Sequence, residues 1–261
     1  MILGLYQMDC VWEDKQTNLK KVEVMAKRAR DLGVDILILP EMFATGFSFD
    51  LSVTMEPEDG LVMSFLSKLA KENRIGILGG VVLPGKEGKA RNSAVVFDRN
   101  GNLVGIYTKC HVFSYQQEEM FHEPGQTPVI LELHGTKITP IVCYDLRFPE
   151  LLRPIAPLIH LGITIASWPA NRQAHWDVLL RARAIENQCY WAGVNRVGEG
   201  GGLSFLGGSA VYDPWGECLI RAERQECLLV CEIEPKRVEE IRTNYPFLKD
   251  MKSKFNSTCL P

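Results

Sequence analysis

Residues 35–40 read DILILP, an apolar run of strand length with no polar residue alternating into it. A strand with one wet face alternates apolar and polar side chains, so this run predicts a strand covered on both faces. The segment before it, residues 17–32, places Leu19, Val22, Met25, Ala26, Ala29 and Leu32 on one helical face, with Thr17 or Asn18 as N-cap and Gly33 as the stop. An amphipathic helix feeding a buried strand is the building unit of an α/β fold.

The pattern recurs along the chain. A helix is expected over residues 60–72, a strand over 75–82, and a strand pair over 92–97 and 103–107 joined by the turn signal DRNG. Residues 137–142 read as another short buried strand. Pro149 can open a helix running toward Gly162, kinked or irregular because Pro154 and Pro157 fall inside it. Beyond it come a strand over 163–167, a strong helix over 175–188, and strands over 190–197, 209–212, 217–220 and 227–234, then a short polar helix and an irregular tail. The Gly-rich stretch 198–208 is expected to be a flexible loop; no GKS or GKT follows it, so it is no phosphate loop. With 261 residues, 46% of them hydrophobic and spread along the whole length, the chain is expected to form one α/β domain over residues 1–261.

Composition excludes several functions. A net charge of −3, from 29 basic and 32 acidic side chains, gives no attraction to nucleic acid or an anionic membrane. No apolar run approaches the ~20 residues that span a bilayer, and the first residues lack a leader pattern. A soluble, cytoplasmic protein is expected. The eight cysteines are scattered and read as mostly buried, reduced thiols, with Cys227 and Cys231 one surface and one core. There is no CxxC or HExxH, and the five histidines never fall at paired spacing, so no metal site is expected.

Three residues carry chemistry. Glu41, Lys109 and Cys143 each sit just past the end of an apolar strand, where α/β sheets present functional groups. Taken singly, each has a plain explanation: a solvated carboxylate, a surface cation, a buried thiol. Together they suffice for amide hydrolysis, with a thiol nucleophile, a carboxylate to take and return its proton, and an ammonium to hold the oxyanion. A Cys–His mechanism using His175 or His111 is the rival, but nothing singles out either histidine.

Those residues lie in LPEMFATGF (39–47), YTKCHVF (107–113) and IVCYDLRFPE (141–150), which resemble the three signature segments of the nitrilase, or carbon–nitrogen hydrolase, superfamily in order and spacing. Further matches are EEMFHEPG (118–125), SWPANR (167–172), HWDVLLRARAIENQ (175–188) and GGSAVYDPWGE (207–217), so the resemblance covers nearly the whole chain. It implies a four-layer α-β-β-α sandwich, a homodimer or larger homo-oligomer, no cofactor and no metal. It also implies that Glu41 is the base, Lys109 the lysine and Cys143 the nucleophile. Glu118 matches the second glutamate that orients the lysine, with Glu119 adjacent as the alternative.

In the implied reaction the backbone N–H of Tyr144 joins Lys109 at the oxyanion, while Asp145 and Arg147 brace the nucleophile's loop. The combination of SWPANR, HWDVLLRARAIENQ and GVNRVG most resembles the ω-amidase branch, which hydrolyses monoamides of dicarboxylates such as 2-oxoglutaramate. Such a substrate carries a free carboxylate, for which Arg172 is the expected partner, with Trp168, Phe47 and Phe113 as apolar walls. The alternatives are an N-carbamoyl amine or amino-acid amidohydrolase, or a non-hydrolytic redox or binding protein using Cys143, with Cys110 as the resolving thiol.

Overall fold

The structure, a computed structural model, describes residues 1–252; most of the expected tail, with Cys259, lies outside the described residues. The chain opens on β1 (Ile2–Gln7), a strand absent from the expectations above. Gly4 weakens its strand signal, yet a side chain there would meet Val34 at 2.9 Å, so tight packing requires the glycine. β1 runs parallel to β2 (Ile36–Ile38), and β2 parallel to β3 (Gly76–Pro84). β3, β4 (Ala90–Phe97) and β5 (Leu103–Thr108) then pair antiparallel in turn.

The second sheet takes β6 (Leu131–Leu133), β7 (Thr136–Val142), β8 (Leu161–Ala166) and β9 (Tyr190–Asn195), the last three parallel. A separate hairpin, β10 (Val197–Gly200) and β11 (Leu203–Leu206), stands where the flexible loop was expected. β12 (Ala210–Tyr212) and β13 (Cys218–Arg221) complete the second sheet, and β14 (Cys227–Glu232) returns to pair with β1. The strand orders are β14-β1-β2-β3-β4-β5 and β13-β12-β9-β8-β7-β6.

Side chains alternate between two cores, and this makes the layers. Leu3, Leu5, Ile36, Ile38 and Leu78 pack with Ile141, Ile163 and Val194 of the second sheet. Tyr6, Leu37, Leu39, Ile77 and Val95 pack with Val22 and Ala26 of α1 (Lys15–Asp31) and Leu66 and Leu69 of α2 (Leu61–Asn73). β2 is thus buried on both faces, as DILILP requires. Trp176, Leu180 and Ala184 of α3 (Gln173–Asn187) cover the outside of the second sheet, giving the expected α-β-β-α order. α4 (Pro235–Asn244) follows β14. Among the described residues no helix is long and apolar enough to cross a membrane.

Two local expectations are corrected. α1 is capped by Asp14, whose side chain accepts from Thr17 N at 3.0 Å, and not by Thr17 or Asn18. Asn18 is instead buried, donating to the carbonyls of Val11 and Ala44. The helix after Pro149 lasts only to Leu152, because Pro154 and Pro157 cannot supply its N–H groups; a single turn at Ala156–Leu158 replaces the remainder.

β3 passes directly under the segment that follows β2. Gly80 N donates to Pro40 O at 3.1 Å, and a Cβ at Gly80 would lie 2.6 Å from Glu41 Cα and 2.5 Å from Met42 N. Backbone cannot swing aside as a side chain can. Gly80→Ala is therefore expected to cost ~1–3 kcal/mol in urea unfolding by overpacking, and to displace Glu41 as it does so. Wild-type stability in this variant would show that the approach is looser than described.

Candidate active site

The carboxyl ends of strands from both sheets meet at one place. Glu41 follows β2, Lys109 follows β5, Cys143 follows β7 and Ser167 follows β8. Glu41 is wholly buried: its Oε1 accepts from Asn92 Nδ2 (2.8 Å) and Lys109 Nζ (3.3 Å), and its Oε2 accepts from Ser167 N (2.8 Å). The last bond joins the first sheet to the second. Lys109, 1% exposed, also donates to both oxygens of Glu118, at 3.0 and 2.8 Å. Glu118, and not Glu119, is the carboxylate at Lys109, held there by Phe113 N at 2.6 Å.

Burial disfavours the Lys109 ammonium, but the charges of Glu118 and Glu41 outweigh it and hold the group above its ordinary range. Burial likewise opposes ionisation of Glu118, yet Lys109 and then a hydrogen bond from His122 bring it down to about 2. Burial and the charge of Glu41 push the Cys143 thiol well up, against the pull of Lys109. Both influences favour the neutral thiol over the thiolate.

Cys143 opens a turn of 3-10 helix, Cys143–Arg147, with φ of +48°, a left-handed conformation that costs a non-glycine residue ~1–2 kcal/mol. What holds the turn is Asp145, buried, which accepts from Val142 N (3.3 Å), His111 N (2.8 Å), Cys110 N (3.4 Å) and the Tyr107 hydroxyl (2.7 Å). It ties the loop carrying Cys143 to the loop carrying Lys109. Arg183 of α3 fixes the far end of the turn by donating twice to Leu146 O.

A pocket opens over these groups, lined among others by Glu41, Lys109, Cys143, Tyr144, Ser167 and Leu203. All four residues expected to bind substrate line it as well: Phe47, Phe113, Trp168 and Arg172. The Arg172 guanidinium lies 5.1 Å from the Phe113 ring centre, and Lys109 Nζ 5.3 Å from that of Phe47. Asp177 pairs with Arg221 at 2.8 Å, not with Arg172. Tyr144 packs its ring between Phe113 and Phe148.

Arg147, expected to brace the nucleophile's loop, instead lines the cavity, its guanidinium 4.7 Å from the Trp168 ring centre. Among the described residues, neither Arg147 nor Arg172 makes an ion pair with a carboxylate. The histidine rivals are engaged elsewhere. His111 meets Asp145 and stacks on Phe148, while His175 meets Arg147; neither lines the cavity, nor does Cys110.

Sequence reading missed Asn92, Ser167, Asn195 and Leu203. Asn92 lies between Arg91 and Ser93 in a largely buried strand, where its sequence gives no sign of a role in the site. Asn195, in GVNRVG, holds the turn after β8 by accepting from Trp168 N (2.7 Å) and donating to Trp168 O (3.0 Å). Leu203 reaches the cavity from the β10–β11 hairpin, which no strand-length apolar run foretold.

Comparison with known proteins agrees with this geometry. Residues 2–243 match the carbon-nitrogen hydrolase family. The 2-oxoglutaramate amidase of Bacillus subtilis (strain 168) is 33% identical, over 96% of this chain and 97% of that one. The omega-amidase YafV of Escherichia coli (strain K12) is 35% identical, over 95% of each. Among solved structures, an amidase from Nesterenkonia sp. AN1 superposes with a TM-score of 0.83 at 27% identity, covering 95% of this chain and 98% of that one. It is a glutamate-to-glutamine mutant showing Michael addition of acrylamide at the active site cysteine. By sequence profile, relatives and fold alike, the chain belongs to the carbon-nitrogen hydrolase family and is a hydrolase of carbon–nitrogen bonds other than peptide bonds.

Proposed function

We propose that the protein is an ω-amidase, releasing ammonia from the terminal amide of a small dicarboxylic acid monoamide through a thioester on Cys143. The observation that carries this reading is the pairing, in one cavity, of a thiol, carboxylate and ammonium with two guanidiniums that have no carboxylate of their own. Unpaired cations in a confined apolar site favour an anionic ligand, and a guanidinium can grip both oxygens of a carboxylate. The relatives named 2-oxoglutaramate amidase and omega-amidase support the same substrate class.

The roles follow from the charges. Because burial and Glu41 favour the neutral thiol, the nucleophile is made at the moment of attack, when Glu41 accepts the Cys143 proton. Sulfur adds to the amide carbon, and the Lys109 ammonium with the Tyr144 backbone N–H holds the oxyanion. Glu41 returns the proton to the departing nitrogen, ammonia leaves, and the acyl group remains as a thioester. Glu41 then takes a proton from water, which attacks the thioester and restores the thiol. Arg172, aided by Arg147, binds the distal carboxylate, while Phe47, Phe113 and Trp168 enclose the chain between the two ends.

Cys143→Ala should abolish ammonia release while leaving thermal unfolding nearly unchanged, whereas Cys227→Ala keeps activity. Hydroxylamine added during turnover should yield a hydroxamate by intercepting the thioester. Glu41→Gln and Lys109→Met should each lower kcat by about 10²-fold or more, without a comparable rise in KM. Wild-type turnover in Cys143→Ala would end the nucleophile assignment.

Specificity has its own test. Arg172→Met is expected to raise KM for succinamate or 2-oxoglutaramate by roughly tenfold or more, with little change for an uncharged amide of similar length. Arg147→Met should act in the same direction. Equal effects on charged and uncharged amides would remove the guanidiniums from substrate recognition.

A further inference from the structure

The hydrogen-bonded chain from Glu41 through Lys109 to Glu118 continues one residue beyond what the reaction uses. His122 lies four residues after Glu118, is wholly buried, and places Nδ1 3.3 Å from Glu118 Oε1. Every other partner of that carboxylate is a donor: Lys109 Nζ, Asn92 Nδ2 and Phe113 N. An ionised carboxylate only accepts, so the His122 nitrogen facing it carries a proton. In the neutral ring Nε2 is then a bare acceptor, and Nε2 is buried without a hydrogen-bond partner.

A stranded polar atom is a cost that a phenylalanine of similar shape would not carry. The immediate surroundings are aromatic, with the Phe49 ring centre 6.0 Å away, so shape alone would be served by an apolar ring. What the imidazole adds is the donor on its other side.

The buried site has a use for that donor. Two carboxylates face one ammonium, and Asn92 Nδ2 bridges their Oε1 atoms, 2.8 Å from Glu41 and 3.3 Å from Glu118. Like charges in one buried site compete for any proton that enters. Glu41 has to gain and lose a proton in each half-reaction, while Glu118 has to stay charged to grip Lys109. A donor given to one carboxylate and not the other separates their affinities, as in other sites where environment divides the labour of paired acids.

We propose that His122 is the positioning residue that makes this division: by donating to Glu118 it keeps that carboxylate ionised and clamped on Lys109, leaving proton exchange to Glu41. The proposal rests on the amidase reading of the site. The charged and titratable groups around Glu118 include Lys109 and Glu41 at the strand ends, Cys143 on the facing sheet, and Glu119 and His122 on its own turn. Glu123, next to His122, is turned away toward Lys86 N.

The test uses three variants and the pH profile of kcat/KM. His122→Phe keeps a ring and removes both nitrogens; His122→Asn keeps a donor near the Nδ1 position; His122→Gln carries its amide toward the Nε2 position instead. His122→Phe sheds the stranded nitrogen but also loses a donor to Glu118, so it should melt close to wild type. Its kcat should nevertheless fall about tenfold with KM changed less than about twofold, and the acid limb should move up by about one pH unit as Glu118 competes for the proton. His122→Asn should restore the limb, and His122→Gln should not. An unmoved limb and unchanged kcat in a folded His122→Phe overturn the proposal, as does identical behaviour of Asn and Gln variants, which decides the matter even if His122→Phe fails to fold. Wild-type hydrolysis of succinamate is measured alongside: its absence would sink the amidase reading and this proposal with it, whereas its presence with an unmoved limb removes only His122.

Discussion

The ammonium of Lys109, buried between two carboxylates, is the interaction on which the site depends. A lone ammonium taken out of water costs several kcal/mol, and its burial is tolerable only because Glu41 and Glu118 sit within 3.3 Å of Nζ. The same burial makes the charges effective, since water does not screen them. Three ions at 0–1% exposure form a fixed field, already arranged before any substrate arrives.

That field has to be registered against the Cys143 thiol, which comes from the other sheet. Two carboxylates do most of this. Ser167 N reaches across to Glu41 Oε2, and Asp145 gathers donors from the segment 107–111 and from Val142. Because strand ends from both sheets are pinned together, packing between the sheets is transmitted directly to the spacing of thiol, carboxylate and ammonium. The left-handed backbone of Cys143 is the strained element in this arrangement, and Asp145 with Arg183 holds it in place.

The cavity above has two characters. Its floor is ionic and buried, and its walls are aromatic rings faced by guanidiniums. Arg172 over Phe113 and Arg147 over Trp168 lie against apolar surface, an arrangement suited to guanidinium and poorly suited to a compact, strongly hydrated ammonium. Leu203 of the β10–β11 hairpin lines the same pocket.

Much of the architecture was legible in the residues themselves. Doubly buried DILILP and the amphipathic face of α1 dictated a covered sheet, because periodicity depends only on local geometry and on which side chains avoid water. Glu41, Lys109 and Cys143 were visible because each follows an apolar strand, and the family segments named the same positions. What the sequence could not decide by itself was every property that depends on residues far apart in the chain. Ser167 meets Glu41 across 126 positions, and Asp145 meets Tyr107 across 38; no periodicity encodes such pairs. The tertiary structure also decided that Arg147 lines the cavity and not the back of its own loop, that Glu118 and not Glu119 reaches Lys109, and that the Gly-rich segment is a hairpin over the site. Each of these turns on the direction of a side chain or the pairing of a backbone, which the surrounding packing sets and local propensity does not.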